Sequence, residues 1–247
     1  MTQNDITYDD AFYADLVNTA EPSAAVIGPM VLELTGARSI VDVGCGDGSW
    51  LAAFKAAGVE RILGLDGNWL DEACLRFPSD CFRRADLFAP LRLTERFDLA
   101  VSLEVAEHLP EARAAGFVAD LVSLAPVVLF SAAIPLQEGP NHLNEQWPSY
   151  WARFFEFHGY VPVDAVRMAV WTRPEITWWY KQNTLIYVEK SQLAKYPALA
   201  EIYERTGGEV RDLVHPEKYR ALVKRAHPDF GRWLKMLPGT FTRRRRP

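Results

Sequence analysis

Between Arg38 and about Pro135 the chain alternates short apolar runs with segments of helical spacing. The runs are Ser39–Val43, Arg61–Leu65, Phe97–Leu103 and Val127–Ile134. Between them lie Ser49–Ala57, closed by Gly58, then Leu70–Arg76 and Glu111–Leu124. Strand, helix, strand in this rhythm calls for right-handed crossovers. It predicts an α/β fold with a doubly wound, mostly parallel sheet.

The flanks read differently. Tyr8–Leu34 is helical, with Val26, Ile27, Met30, Val31 and Leu34 at helical spacing, and Pro22 is expected to break it. After a loop at Pro135–Pro140, Pro148–His158 is an aromatic helix, and Tyr160–Val170 and Thr184–Glu189 are late strands. From Ser191 the chain is helical and charged, punctuated by Gly207-Gly208, Pro216, Pro228 and Pro238. The expected division is a main domain over residues 1–190, with N-terminal helices, and a helical C-terminal appendage over 191–247.

Composition narrows the class. Of 247 residues, 49% are hydrophobic and 24% charged, enough for a sizeable core and unlike a disordered, collagen-like or coiled-coil chain. No apolar run reaches the roughly 18 residues of a membrane span. Met1–Glu21 is acidic and polar, so neither a span nor a signal peptide is expected. Cys45, Cys74 and Cys81 have no paired spacing, which suits a reducing cytoplasm. The net charge of -5 speaks against a general nucleic-acid binder. Arg243–Arg246 form a basic tail, read either as a solvated end or as a contact for an anionic partner.

One segment carries chemistry: Val41-Asp-Val-Gly-Cys-Gly-Asp-Gly-Ser-Trp50. It joins a strand to a helix, the place where a doubly wound sheet binds cofactors. Asp66 ends the next strand, where an acid accepts ribose hydroxyls. A dinucleotide loop would carry glycine at position 49; here Ser49 stands there, and Asp47 adds a negative charge. That charge suits a cationic ligand better than a pyrophosphate and disfavours a nicotinamide-dependent oxidoreductase. Asp42, at the end of the first strand, is likewise placed near the cationic end of such a ligand.

With Asp42-Val-Gly-Cys-Gly-Asp-Gly48, Gly64-Leu-Asp66, Ala85-Asp-Leu87 and Phe97-Asp-Leu-Ala-Val-Ser-Leu-Glu-Val-Ala-Glu-His-Leu109 in this order, the chain resembles the class I S-adenosylmethionine-dependent methyltransferases from Arg38 to Glu189. The resemblance implies a Rossmann-like sheet of seven strands with one antiparallel strand near the end. It implies S-adenosylmethionine as cofactor and S-adenosylhomocysteine as product. Gly44, Cys45 and Gly46 would line the methionine part, beside Asp42 and Trp50. Asp66 and Gly67 would hold the ribose. Asp86 and Leu87 would meet the adenine. Ser102, Leu103 and Glu104 would lie under the sulfonium.

Two histidines compete as proton acceptor for a hydroxyl. His108 follows Glu104 by four residues, so a helical turn would set them on one face. His142 lies in a polar loop with Asn141, Asn144, Glu145 and Gln146. The stretch His142–Trp151, with Trp178-Trp-Tyr-Lys-Gln-Asn183, resembles a bacterial subgroup associated with glycan and natural-product pathways. Five of the eight tryptophans fall between 147 and 179. Asn144, Glu145, Trp147, Trp151, Trp178 and Tyr180 are therefore expected around the acceptor. No fixed metal-ligand spacing appears and no metal is expected, although Glu104, Glu107, His108, His142 and Glu145 carry suitable donors.

The expected activity is O-methylation of a sugar, glycan or natural-product small molecule. The alternatives are an RNA or protein methyltransferase using the basic tail, and a non-catalytic S-adenosylmethionine-binding module. The oligomeric state stays open.

Overall fold

In the computed structural model the backbone is described for residues 10–226 and the side chains from Thr19 onward. The Arg243–Arg246 tail lies outside the described residues. The chain divides into two compact units, Met1–Leu213 and Val214–Pro247.

The first unit is built on one seven-stranded sheet. Its strands are β1 (Ser39–Val43), β2 (Arg61–Asp66), β3 (Phe82–Arg84), β4 (Leu99–Leu103), β5 (Val127–Ser131), β6 (Tyr160–Val163) and β7 (Leu185–Glu189). Their order in the sheet is β3-β2-β1-β4-β5-β7-β6. All pairings are parallel except those of β7, which runs antiparallel to both β5 and β6. This is the seven-stranded architecture with one reversed strand that the resemblance implies.

Side chains alternate between two apolar layers, as the two-residue period of a strand demands. Ile40, Ile62, Leu99, Val101, Leu129 and Ile186 enter one layer. Val41, Leu63, Ala100, Val128, Phe130 and Tyr187 enter the other. The first is covered by α1 (Asp10–Thr35) and α2 (Ser49–Ala56), the second by α3 (Ala114–Leu124) and α4 (Pro148–Phe157). A sheet covered on both faces explains strands apolar at nearly every position.

Four local expectations are corrected. Helix α1 runs unbroken through Pro22 and Pro29. Ala20, Ala24, Ile27 and Val31 form one buried stripe across Pro22, and its packing outweighs the lost backbone bond. Leu70–Arg76 makes only a short 3-10 turn at Glu72–Cys74. The Asp71 side chain caps that turn through the Ala73 N–H (2.9 Å), and the Arg76 N–H is drawn to the Asp47 carbonyl (2.9 Å). Tyr160–Val170 is a strand only to Val163; Asp164 then pairs with Arg167 and opens the short helix α5 (Arg167–Val170). The sequence division at 190/191 also moves, because the first compact unit continues to Leu213. Asp212 accepts the N–H (3.0 Å) and hydroxyl (2.7 Å) of Ser149 at the start of α4, and the Arg211 carbonyl accepts from buried Arg167 (2.7 Å). Among the described residues no helix is long and apolar enough to cross a membrane.

Candidate active site

The loop after β1 is shaped by close approach. Gly44 has φ +84°, and a Cβ there would lie 2.4 Å from Val105 Cγ2 in the loop after β4. Its N–H and that of Cys45 bond the Leu65 carbonyl (2.7 and 3.2 Å). Asp66, at the tip of β2, accepts the N–H of Gly46 (2.7 Å) and of Gly67 (2.6 Å). Burial pushes its carboxyl up to about 6, against the pull of these two donors. Asp42 is driven well above the ordinary carboxylate range by burial, then by Asp66 and Asp47. Asp47 accepts the N–H and hydroxyl of Ser49 (2.9 and 2.8 Å) at the start of α2. Three acids thus surround one glycine loop, an arrangement suited to a cation and hostile to phosphate.

Beside this loop opens a cavity of about 380 Å³. Of the residues singled out from sequence, Gly44, Cys45, Gly46, Trp50, Asp66, Leu87, Leu103, Glu104, His108, His142, Trp178 and Tyr180 line it. Asp42 and Gly67 are buried behind the wall, and Asp86 is exposed and turns its carboxylate onto the Phe88 N–H (3.0 Å). The expectation for Trp151 is corrected. It is 1% exposed and packs on Phe130 at 5.4 Å between ring centres, as a core residue under α4. Trp147, at the start of α4, and Asn144, bonded to Gln146, also lie off the cavity wall. Trp69, Phe88, Gln137 and Trp179 were not anticipated there, and they line the cavity with Glu107, one of the donors noted in the sequence.

Glu104 has φ +55°, a left-handed geometry that costs a non-glycine residue on the order of 1–3 kcal/mol. Its N–H bonds the carbonyl and hydroxyl of Ser131 (3.0 and 3.1 Å). Its carboxylate accepts from the amides of Gln137 (2.7 Å) and Asn183 (3.0 Å). Asn183 ends α6 (Trp178–Asn183), whose aromatic start meets the cavity. The sequence signal for this amide cluster is the polar run Lys181-Gln182-Asn183 immediately before an apolar strand. Burial raises the Glu104 carboxyl, and the amides oppose the shift.

The two histidines meet because two loops are stitched together. The Glu107 carbonyl accepts the N–H of Leu143 (2.7 Å) and Asn144 (2.9 Å). This sets the His108 and His142 rings edge to face, 4.9 Å apart. Nδ1 of His142 lies 2.8 Å from Glu145 Oε1, so a ring that donates there keeps its lone pair on Nε2. The ring lies against Gly139, where a Cβ would come within 2.2 Å of Nε2. Burial, then the neighbouring His142, lowers the His108 pKa to about 4. His108 Nδ1 is buried without a hydrogen-bond partner, and the buried Glu107 carboxylate has no side-chain donor, lying close to the backbone N–H groups of Glu107 and Ala133.

The comparisons with known proteins agree with this frame. A family model described as a methyltransferase domain matches residues 8–189. No curated protein sequence matches the chain. Among solved structures, DesVI of Streptomyces venezuelae is 19% identical, with a TM-score of 0.53 over 74% of this chain and 99% of that one. CalS10 of Micromonospora echinaspora, an amino pentose methyltransferase involved in calicheamicin biosynthesis and solved with S-adenosylmethionine bound, is 14% identical, with a TM-score of 0.52 over 74% and 98%. An O-methyltransferase family protein of Burkholderia thailandensis is 12% identical, with a TM-score of 0.53 over 73% and 59%. At these identities the structures speak for the fold, and the family model speaks for the lineage. The chain belongs to the methyltransferase domain family and is a class I S-adenosylmethionine-dependent methyltransferase.

Proposed function

We propose that this methyltransferase moves the methyl group to a hydroxyl oxygen of a small molecule or glycan. The observation that carries the reading is His142, which lines the cavity that also contains the glycine loop and is backed by Glu145 at 2.8 Å. In this reading Gly44, Cys45 and Gly46 hold the methionine part, Asp66 the ribose diol, and Leu87 and Phe88 the adenine. Leu103 and Glu104 lie under the sulfonium. Asp42 complements its charge from behind the loop and Asp47 from the cavity wall.

The acceptor oxygen attacks the methyl carbon in line with the sulfur. The C–O bond forms as the C–S bond breaks, and the bonding pair returns to sulfur as a neutral thioether. The hydroxyl proton passes to Nε2 of His142, whose positive charge Glu145 stabilises. Alignment of acceptor, carbon and sulfur can supply about 7–11 kcal/mol of barrier reduction, and proton removal about 10²–10⁴ in rate.

Trp69, Trp178, Trp179 and Tyr180 give the cavity an aromatic wall that suits a sugar face or a ring. The volume lies within the roughly 300–1,000 Å³ of small-molecule sites. Neighbours of this fold include proteins described as an amino pentose methyltransferase and as an O-methyltransferase family member. The three free cysteines suit a reducing, cytoplasmic setting.

The test is label transfer from methyl-labelled S-adenosylmethionine to panels of sugars, nucleotide-linked sugars and phenols, alongside RNA and protein fractions. Label in methyl ethers of low-mass or glycan acceptors supports the reading. Label confined to RNA, protein or amine nitrogen overturns it.

A further inference from the structure

Three side chains beside the reaction centre are arranged as ligands. One donor atom from each of Glu107, His108 and His142 lies within 4.8 Å of the other two. Glu107 is fully buried, and its carboxylate has no side-chain donor, lying close to the backbone N–H groups of Glu107 and Ala133. His108 Nδ1 is buried and unpartnered. Buried polar groups are nearly always satisfied, so a buried carboxylate and an imidazole nitrogen that no side chain meets leave room for an occupant. Glu104 and Glu145 add their fields to that of Glu107. Three carboxylates around two imidazoles favour a cation.

The backbone has already brought the group together. The 3-10 turn Ala106–His108 carries two of the ligands, and the bonds from Leu143 and Asn144 to the Glu107 carbonyl bring in the loop that carries the third. Glu145 sits behind His142 at 2.8 Å, as a carboxylate sits behind a metal-bound imidazole.

We propose that Glu107, His108 and His142 bind a divalent first-row transition-metal cation, which holds and acidifies the acceptor oxygen. Two imidazoles with one carboxylate select ions of the Mn²⁺ to Zn²⁺ series over Mg²⁺ or Ca²⁺. Bonds of about 2.0–2.2 Å need the donors drawn closer than the 4.8 Å within which they stand. Three protein ligands leave coordination positions open toward the cavity. The inference rests on the O-methyltransferase reading for its catalytic sense, and it recasts the two rings as ligands. The hydroxyl proton then leaves to solvent, released by the Lewis acid.

The probe is cobalt(II). Full-length protein is dialysed against chelator, then titrated while visible absorption and stoichiometry are read. The expected result is one equivalent bound with ligand-field bands of nitrogen coordination. Affinity should fall at least tenfold in Glu107→Gln and in His142→Ala, while both variants still bind S-adenosylmethionine as proof of folding. Glu145→Gln should weaken cobalt binding by about 10–100-fold. Absence of uptake by the wild-type protein, or equal uptake by both ligand variants, overturns the site. Methyl transfer that proceeds undiminished in chelator overturns its catalytic role. Metal uptake does not depend on the acceptor, so site-specific uptake without hydroxyl methylation sinks the O-methyl reading and leaves the metal site standing.

Discussion

The carboxylate of Glu145 meets Nδ1 of His142 at 2.8 Å while its two oxygens also accept the N–H groups of Glu138 (2.6 Å) and Leu136 (2.8 Å). One side chain therefore orients the ring and ties down the loop that carries it. Its replacement by an amide puts an N–H where a donor already points. The prediction is a turnover loss of about 10²–10⁴ in His142→Ala and a smaller loss, about tenfold, in Glu145→Gln. S-adenosylmethionine affinity should stay within about twofold, since neither residue belongs to the glycine loop. Wild-type turnover in His142→Ala would remove the ring from the reaction.

Gly44 and Val105 set the distance between the loops after β1 and β4. A methyl group at Gly44 would meet Val105 Cγ2 at 2.4 Å, on a backbone already at φ +84°. Gly44→Ala is expected to cost about 1–3 kcal/mol from backbone strain alone and to weaken cofactor binding more than tenfold. Adding Val105→Ala removes the clash and leaves the strain, so the double variant should recover part of the loss. Calorimetric titration of both variants measures this; recovery to wild type would show that φ at this position carries no cost.

The parallel half of the sheet was legible in the sequence because β1, β2, β4 and β5 are short apolar runs bounded by turn residues. Strand β3 was not, since Phe82–Arg84 holds one buried residue among three. The glycine loop was legible because glycine spacing reports backbone geometry. Trp151 shows where composition misleads: tryptophan serves as a pocket wall or as core filler, and only packing decides. Gln137 and Asn183 were invisible for a different reason. They lie 46 residues apart and meet at 3.0 Å, where both amides donate to Glu104, through the fold alone.

The two tryptophans separate packing from binding. Trp151 is buried among Phe130, Tyr150 and Phe154, so Trp151→Ala should cost about 3–5 kcal/mol of stability. Trp178 is half-buried, edge-on to Trp179 at 5.5 Å, and lines the cavity. Trp178→Ala should leave the melting temperature within a few degrees and raise the acceptor KM several-fold. A KM effect from Trp151→Ala at temperatures where the variant is fully folded would restore it to the acceptor site.

Asp66 predicts two pH dependences of opposite sign. Its folded pKa of about 6 lies above the ordinary carboxylate value of 3.8, chiefly through burial. A group that holds its proton more tightly when folded stabilises the fold as pH drops. The ligand-free protein should therefore gain stability from Asp66 between about pH 6 and pH 4, by up to about 3 kcal/mol. Asp42, raised in the same direction, adds to this gain. Cofactor binding runs the other way, because a ribose diol donates to the charged carboxylate, and that acceptor is lost below about pH 6. The rise in melting temperature caused by saturating S-adenosylmethionine should shrink between pH 7.5 and pH 5 even as the ligand-free protein melts higher. An equal rise at both pH values would mean that the ionised form of Asp66 has no part in holding the cofactor.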